Sequence, residues 1–474
     1  MATPFGHRIL TTVDLVLRNG RIFTPSGFFH GGIGVEDGRI ASLGKDSTLP
    51  RADRTVDVKG NIILPGFIDA HCHCHGMERS DWEDFTTGTR AAAAGGFTTI
   101  LEMPITTPPT STVNAFREKK EVVARQAIVN FALFGGAGSD NIDEIDGIAR
   151  EGAVAFKTFM PPPTHGREKD FWGLYVKDDG SFLEMLRAIA QTGLRSCVHA
   201  ENPEIVSHLM RRVESEGRKD LGAYLESKPG ITESEAISRA AMFASVTGAR
   251  MHICHVCAKE AIEVVTCLRQ KGQPLTAETC PHYLTFIHDA VKHLGPYAKV
   301  NPPIRHVEDR TRLWEALRTG VIDIVASDHG PFTRDLKEIG RDDIWRASMG
   351  FPALDAMIPV MLTHVNQGLI SLQELVKLSS ENVAKIFGLY PSKGLLQVGA
   401  DADMAVVDMS RRKKLKTEEF QTKAKDVASI WDGMEVQGVP IRTIVNGTEV
   451  MEEGTVLGKP ATGQFLRPNA TRRH

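Results

Sequence analysis

The sequence has no apolar run near the ~20 residues that a membrane-spanning helix requires, and no excess of charge. It carries 56 Lys and Arg against 59 Asp and Glu, a net charge of −3, and its pI is about 6.6. This balance gives no electrostatic reason to expect binding to nucleic acid or to an anionic membrane. The first residues, MATPFGHRIL, lack the basic region and apolar core of a secretory signal. We expect neither a nucleic-acid nor a membrane partner.

Cysteine is also scarce. The chain has 7 cysteines, an odd number scattered along its length. A secreted protein held by disulfides has paired cysteines in a framework, whereas this pattern fits reduced thiols. We therefore expect a cytoplasmic protein.

The length of the chain favours a large fold. With 474 residues, 42% of them hydrophobic, it is too long for one small core and suits an α/β barrel with an accessory domain. The middle of the chain alternates short apolar strands with helical stretches. The predicted strands are Phe67–His73, Phe97–Met103, Val129–Phe134, Val154–Met160, Ser196–His199, Met251–His255, Leu275–Thr279 and Ile322–Ser327. The predicted helices include Phe85–Ala94, Phe182–Gln191, Glu233–Val246 and Lys259–Gln270. Eight strand-plus-helix units predict a (β/α)8 TIM-type barrel, whose active site forms at the C-terminal ends of the strands.

The two ends of the chain have a different sequence pattern, in which β-rich runs alternate with turns. The pairs Asn19-Gly20, Asp37-Gly38 and Asn446-Gly447 are typical of two-residue hairpin turns. We expect residues 1–62 and 386–474 to form one small β-sandwich together, with the barrel at residues 63–385. The stretch Pro331–Ile344 is predicted to be a loop over the barrel mouth.

The first barrel strand carries the clearest chemical signal, in the stretch LPGFIDAHCHCH. Side chains alternate along a strand, so His71 and His73 face one way while Cys72 and Cys74 face the other. Two imidazoles on one face can share a metal ion. The cysteines face away from them, so we do not expect a thiolate zinc site.

Four further strands end in residues that complete such a site. These residues are Lys157, His199, His255 and Asp328. A charged lysine in an apolar strand is costly unless it is paired or reaches solvent. Addition of carbon dioxide to its neutral amine would instead make a carbamate, an anion able to bridge two metals. The six residues predict a site for two divalent ions, zinc first, with manganese, cobalt or nickel also suitable.

These motifs resemble the amidohydrolase superfamily, in its branch of allantoinases, dihydropyrimidinases (hydantoinases) and dihydroorotases. The resemblance runs from PGFIDAH to GADADMAVVD and GTEVMEEG, nearly the whole chain. The sequence is most similar to allantoinases in four stretches, which are ERSDWEDFTTGTRAAAAGGFTTILEMP, VHAENPEI, SKPGITESEAI and AETCPHYLTF. It also lacks the tyrosine that dihydropyrimidinases place after FKTFM.

The resemblance implies a role for each ligand. His71, His73, Lys157 and Asp328 would hold the more buried metal, and the Lys157 carbamate, His199 and His255 the second. Two metals would lower the pKa of a bound water towards ~7. Asp328 would then act as acid and base, taking the proton from the water and giving it to the leaving ring nitrogen. Relatives are often tetramers, so a homotetramer is expected.

The substrate positions depart from the allantoinase pattern. Gly76–Arg79 stands where Glu-Pro-Gly-Arg is usual, Thr106 replaces an asparagine, and Asn301 replaces a serine. We expect Asn301, Gly350, Thr106 and Arg79 to contact the substrate. The arginine that dihydroorotases carry directly after HxH is absent.

The expected reaction is hydrolysis of a cyclic ureide, allantoin to allantoate. Hydantoin, a dihydropyrimidine or another cyclic imide remains an alternative. Dihydroorotate ranks lower, because its carboxylate would lack the arginine partner. A non-catalytic scaffold ranks low because all six ligands are present. A heterocycle deaminase also ranks low, since such enzymes generally lack the lysine found at Lys157.

Overall fold

A computed structural model describes residues 12–24, 26–164 and 166–469. The N-terminal stretch for which no secretory signal is expected lies outside the described residues. Within the described ranges, no helix combines the length and apolar character needed to cross a bilayer.

The chain forms eighteen strands and fifteen α-helices in its described part, joined in places by short 3-10 turns. The strands are β1 Thr12–Thr24, β2 Gly27–Glu36, β3 Arg39–Gly44, β4 Arg51–Asp57, β5 Ile62–Pro65, β6 Phe67–Cys72, β7 Phe97–Glu102, β8 Asn130–Leu133, β9 Gly135–Gly136, β10 Phe156–Phe159, β11 Arg195–His199, β12 Arg250–Ile253, β13 Leu275–Thr279, β14 Ile324–Val325, β15 Met404–Lys414, β16 Glu435–Val445, β17 Thr448–Glu452 and β18 Thr455–Val456. The helices are α1 Phe85–Gly95, α2 Val113–Gln126, α3 Ile145–Glu151, α4 Asp179–Thr192, α5 Pro203–Ser215, α6 Leu221–Glu226, α7 Ile231–Thr247, α8 Lys259–Gln270, α9 Pro281–Thr285, α10 His288–Val291, α11 Val307–Arg318, α12 Arg334–Glu338, α13 Leu354–Asn366, α14 Leu372–Val376 and α15 Asn382–Ile386.

The first sheet contains strands from both ends of the chain. Its order is β18-β17-β16-β15-β5-β1-β2-β3, and β4 also pairs with β1. The pairing of β5 with β15 is antiparallel and joins the N-terminal strands to the C-terminal ones. The expectation that the two ends share one sheet is confirmed.

The middle of the chain forms two parallel sheets, with orders β14-β13-β12-β11-β10-β9 and β6-β7-β8. All eight predicted strands and the four predicted helices are confirmed, with ends that move by a few residues. Hydrogen bonds connect the two sheets at both edges. Leu133 O accepts from Val154 N (2.9 Å) at one edge, and Cys72 forms a parallel bridge with His329 at the other. The C-terminal ends of the strands therefore meet at one rim.

The helices between these strands begin and end where side chains satisfy the free backbone groups. At α1, the Asp84 side chain accepts from Thr87 N (2.8 Å), and Gly96 follows the helix at φ 94°. Asp is a favoured N-cap and Gly a favoured left-handed C-cap. Only Gly96 thus separates the end of α1 from the start of β7, which returns the chain to the sheet.

Two of the three predicted hairpin turns are confirmed. Asp37-Gly38 joins β2 to β3 and Asn446-Gly447 joins β16 to β17, all four residues with positive φ. The third prediction was wrong. Asn19-Gly20 lies inside β1, where the register with β2 shifts by a bulge. The bulge is where β1 changes its parallel partner from β4 to β5. A Cβ at Gly20 would lie 2.7 Å from Ile63 Cδ1, so a larger residue here would require the Ile63 side chain to move.

The stretch predicted as a loop at Pro331–Ile344 contains the short helix α12. All seven cysteines are free, and six of them are buried. Cys72 and Cys74 lie beside Glu102, away from the histidines of the same segment. This confirms the predicted alternation of side chains.

A buried polar cluster fastens the mixed sheet to the parallel strands. The Asp403 carboxylate accepts from Lys393 Nζ (2.6 Å), from Asn130 Nδ2 (3.0 Å) and from Asn446 N (2.7 Å). Asn130 belongs to β8, whereas Asn446 follows β16, so one carboxylate joins both parts of the fold. Lys393 and Asp403 are 3% and 5% exposed, which makes an unpaired charge there costly.

We predict that Asp403→Ala destabilises the fold by about 3 kcal/mol, because it leaves the Lys393 ammonium buried with a weakened partner set. The midpoint of urea unfolding measures this loss. Asp426→Ala, at an exposed carboxylate, is the control and should stay within about 0.5 kcal/mol of the parent. Equal stability of the two variants would contradict the role assigned to this cluster.

Candidate functional site

The six predicted ligands lie at the C-terminal ends of the parallel strands. His71 and His199 stand within or at the end of β6 and β11, and Lys157 stands within β10. The other three follow strand ends by one to three residues, and they are His73, His255 and Asp328. The structure brings all six to the same rim.

His71, His73 and Asp328 form one group. The Asp328 Oδ1 atom lies 3.4 Å from His71 Nε2 and 3.5 Å from His73 Nε2. One ligand atom from each of the three residues lies within 4.8 Å of the others. Two imidazole nitrogens and one carboxylate oxygen converge here, and this is the donor set that borderline divalent metals prefer.

His199 and His255 form a second group beside the first. His199 Nδ1 and His255 Nε2 are 3.0 Å apart, and the His255 ring lies 5.3 Å from the His71 ring, between centroids. The two groups are therefore contiguous. His255 and Asp328 both have positive φ, 36° and 47°. Such backbone strain in residues other than glycine clusters at functional sites, where the surrounding structure holds it in place.

Burial sets the protonation of these imidazoles. It lowers the pKa of His73 to about 4 and lowers the pKa of His199 and of His255. Each of these rings is therefore uncharged at neutral pH and has one nitrogen with a free lone pair, as a metal ligand requires. Burial also opposes protonation of His71, but Glu278 and Asp328 outweigh it and raise its pKa to about 10. The same two carboxylates that favour a proton on His71 favour a metal cation beside it.

The Lys157 amine is the exceptional group of the site. The side chain is 0% exposed, and its Nζ has no hydrogen-bond partner among the residues that the structure describes. Its positive charge lowers the pKa of His71, His199 and His255, which places it among the predicted ligands. A buried ammonium without a counter-ion is strongly disfavoured. A fully buried amine without a hydrogen-bond partner is therefore unusual at this position.

Glu278 on β13 is a residue that the sequence analysis missed. It accepts from His71 Nδ1 (2.5 Å) through Oε1 and from His252 Nε2 (3.2 Å) through Oε2. The bond fixes the His71 ring with Nε2 turned towards Asp328. Carboxylates commonly orient metal-binding histidines in this way. A charged residue inside the predicted strand LTAET was the available signal, similar to the one that identified Lys157.

Glu201 is a second residue that the sequence analysis missed, and it orients the His199 ring. It accepts from His199 Nε2 (3.3 Å), Lys228 Nζ (2.7 Å) and Asn301 Nδ2 (3.1 Å). Burial opposes its ionisation, but Lys228 and His199 outweigh this and hold the pKa of Glu201 well below its usual range. The His199 ring is thereby held with Nδ1 turned towards His255.

Two of the four predicted substrate contacts lie close to this centre. Asn301 Nδ2 is 3.2 Å from His199 Nε2, and Tyr224 donates a hydrogen bond to Asn301 Oδ1 (2.9 Å). Gly350 has φ 135° and its N–H donates to Lys299 O (2.9 Å), two residues before Asn301. Asn301 and Gly350 therefore belong to neighbouring segments at the rim.

The other two predicted substrate contacts are Thr106 and Arg79, and each binds groups other than the ligands. Thr106 is buried, and its hydroxyl donates to Pro108 O (2.7 Å) within its own loop. Arg79 pairs with Asp170 (3.6 Å) and lies over the Trp82 ring. The Trp82 ring contacts His75, which stacks beside His73. These contacts put Arg79 near the opening, separated from the ligands by two rings.

Comparison with known proteins agrees with this arrangement. The model of the amidohydrolase family matches residues 62–450. The chain belongs to this family. An L-hydantoinase from Paenarthrobacter aurescens is 39% identical over 455 residues, which cover 96% of this chain and 98% of that protein. An allantoinase from Rubrobacter xylanophilus is 36% identical, with coverage of 97% and 98%.

A solved structure, that of the L-hydantoinase (dihydropyrimidinase) from Arthrobacter aurescens, superposes with a TM-score of 0.92 at 38% identity. It covers 96% of this chain and 100% of its own. The protein is thus an amidohydrolase-family hydrolase, and this family generally binds divalent metals. The cluster of buried nitrogen and oxygen donors with one unpartnered amine fits such ions.

We predict that Glu278→Gln weakens metal binding by about 10- to 100-fold, because the amide no longer holds His71 through a charged hydrogen bond. Competition with a chromogenic chelator measures the affinity of each variant. Glu263→Gln, at an exposed position of α8, should bind metal like the parent. Unchanged affinity in Glu278→Gln would show that this carboxylate does not orient a ligand.

Proposed function

We propose that the protein hydrolyses a ring C–N bond of a cyclic ureide, allantoin to allantoate, with two divalent metal ions. The observation that carries the proposal is the group of His71, His73 and Asp328 beside the pair of His199 and His255, together with the buried amine of Lys157, which has no hydrogen-bond partner in the described structure. The family and its relatives make the protein a hydrolase of cyclic amides, and the choice of allantoin is the finer part of the proposal.

Lys157 becomes a carbamate in this proposal. Its neutral amine adds to carbon dioxide and releases one proton, which replaces an amine without a hydrogen-bond partner by an anion with two oxygen donors. His71, His73, Asp328 and the carbamate would hold the more buried ion. The carbamate, His199 and His255 would hold the second. Zinc suits these nitrogen and oxygen donors, and manganese, cobalt or nickel would also fit.

The metal ions, when bound, make water acidic enough to supply hydroxide at neutral pH and polarise the substrate carbonyl. The remaining steps belong to the chain. An Asp328 oxygen takes the proton that the attacking water gives up, and Asp328 delivers it to the ring nitrogen as the C–N bond breaks. The carboxylate starts this cycle ionised. Although burial opposes ionisation, His71 and His73 hold the pKa of Asp328 well below its usual range.

The substrate argument rests on polar partners at the rim. Allantoin is neutral and carries many ureido N–H groups, so it needs hydrogen-bond acceptors more than a charged partner. Asn301 and the backbone around Gly350 are placed to supply them. Dihydroorotate carries a carboxylate, and burying it without a cation is unfavourable.

A hydantoin with an apolar substituent is the second candidate, and an aromatic surface favours it. The Phe159 ring lies 5.3 Å from the His199 ring and 5.0 Å from Phe171, between centroids. Trp82 and Phe332 both contact His75. Apolar rings beside predicted ligands suit an aliphatic or aromatic group on the substrate. The 39% identity to an L-hydantoinase agrees with this candidate.

The architecture completes the proposal. Hydrogen bonds at both edges of the two parallel sheets support one closed (β/α)8 barrel at residues 63–385. The mixed sheet supports a β-sandwich from residues 1–62 and 386–474, although β5 extends that part to Pro65. We also propose that the protein is cytoplasmic. We further propose that it forms a homotetramer, as the resemblance to the amidohydrolase superfamily implies.

The metal model is tested at Lys157. Protein purified without chelator should hold about two equivalents of divalent metal, and Lys157→Ala should lose one of them and nearly all turnover. Lys157→Arg should do no better, because a guanidinium stays charged and cannot form a carbamate. Elemental analysis and hydrolysis rates measure both effects. Full activity with one equivalent, or parent-like Lys157→Ala, would contradict the bridging role.

The substrate is tested by rates on four rings, namely allantoin, hydantoin, dihydrouracil and dihydroorotate, with metal-loaded enzyme. We expect the highest kcat/KM for allantoin and the lowest for dihydroorotate. A hydantoin with an aromatic substituent is included for the second candidate. Allantoin turnover far below that of the hydantoins would reject allantoin and leave the metal chemistry standing.

A further inference from the structure

Two lysines beside the site are buried without a carboxylate. Lys299 is 3% exposed and Lys337 is 0% exposed, and neither forms an ion pair within the described part of the chain. Apart from Lys157, the three other buried lysines each have an acid. Lys119 pairs with Glu102, Lys228 with Glu201 and Lys393 with Asp403. Since burial without an acid is costly, the exceptional pair requires a reason.

Lys299 binds backbone carbonyls instead of an acid. Its Nζ donates to Ile344 O and Ala347 O, both at 2.7 Å, and lies 3.3 Å from Trp345 O. The amine therefore sits inside the turn at 344–347 and holds that turn together. Burial lowers the pKa of Lys299 to about 7, although the negative charge of Asp343 opposes this shift.

Lys337 continues the same arrangement from α12. Its Nζ donates to Ser348 O (2.9 Å) and to Lys299 O (3.2 Å). Lys299 O also accepts from Gly350 N (2.9 Å). One carbonyl thus receives two donors from the segment that includes α12 and Gly350. Burial, with the neighbouring Lys299, lowers the pKa of Lys337 well below its usual value.

The two lysines therefore join two segments, residues 299–301 and residues 344–350. The first ends in Asn301 and the second in Gly350, the two proposed substrate contacts nearest the ligands. Tyr224 lies between the segments, with its Oη 2.9 Å from Asn301 Oδ1 and 3.3 Å from Met349 Sδ. Lys299 Nζ lies over the same tyrosine ring at 5.0 Å.

We propose that Lys299 and Lys337 are positioning residues that set the spacing between Asn301 and Gly350 and thereby select the substrate. They do not touch the metal ligands or the reacting atoms. A methionine would fill each volume without the cost of burying an amine, so the donated hydrogen bonds are the reason for lysine. The inference rests on the proposed function, because it assigns substrate contact to Asn301 and Gly350.

The test compares Lys299→Met and Lys337→Met with the parent, using the ring that the parent hydrolyses fastest. Misplacing a substrate contact by about 1 Å can cost ~10²-fold, so we expect kcat/KM to fall by 10- to 100-fold, mainly through KM. Metal content should stay at the parent value. The ratio of the kcat/KM values for allantoin and hydantoin should move towards one. Lys299→Gln and Lys337→Gln keep an amide donor and should fall between methionine and parent, and they replace the methionine variants if those fail to fold.

Lys393→Met is the matched control, since Lys393 is also 3% exposed but binds Asp403 at the other sheet. It should lose thermal stability while its KM and substrate preference stay at the parent values. Lysine variants that lose only stability would overturn the proposal, and so would loss of metal or an equal KM change in Lys393→Met.

Hydrogen exchange of peptides covering residues 344–350 separates this inference from the proposed function. Faster exchange in the Lys299 and Lys337 variants, but not in Lys393→Met, supports the positioning role even if none of the tested rings is hydrolysed. Parent-like exchange in all variants overturns it.

Discussion

Burial of ionisable side chains at the ends of the parallel strands is the constraint on which the rest of the structure depends. His71, Lys157 and Glu278 are each at most 1% exposed, so no solvent balances their charges. Every ionisable group there must be matched by another side chain or by a cation. The histidines and carboxylates largely match one another through hydrogen bonds. The Lys157 amine has no hydrogen-bond partner among the described residues, and in the proposed function this is the group that would become the metal-bridging carbamate.

Rigidity of the centre comes from residues one step outside it. Glu278 holds His71 from β13, and Glu201 holds His199 in a cluster that also includes Asn301. The same Glu201 carboxylate therefore orients a proposed metal ligand and a proposed substrate contact. Since preorganised ligands lose little freedom on binding a cation, this arrangement favours both metal affinity and correct substrate placement.

Much of this organisation could be predicted from the sequence, because it depends on local patterns. Strand alternation placed His71 and His73 on one face, and an apolar run around Lys157 marked it as unusual. The hairpin turn predicted at Asn19-Gly20 was wrong because bulges and hairpin turns favour the same residue types. Only the change of the strand partner from β4 to β5 distinguishes the two here. The pairs Glu278–His71 and Lys337–Lys299 join residues far apart in the chain. No local pattern specifies such contacts.

The position of β5 between β1 and β15 affects how the protein can be made. Residues 62–65 emerge from the ribosome more than three hundred residues before β15, their antiparallel neighbour. Until the C-terminal strands are synthesised, one edge of β5 presents unpaired backbone groups beside a fully buried apolar face. Nascent or truncated chains that stop short of β15 should therefore be prone to aggregate and to require chaperones, however complete their parallel strands are.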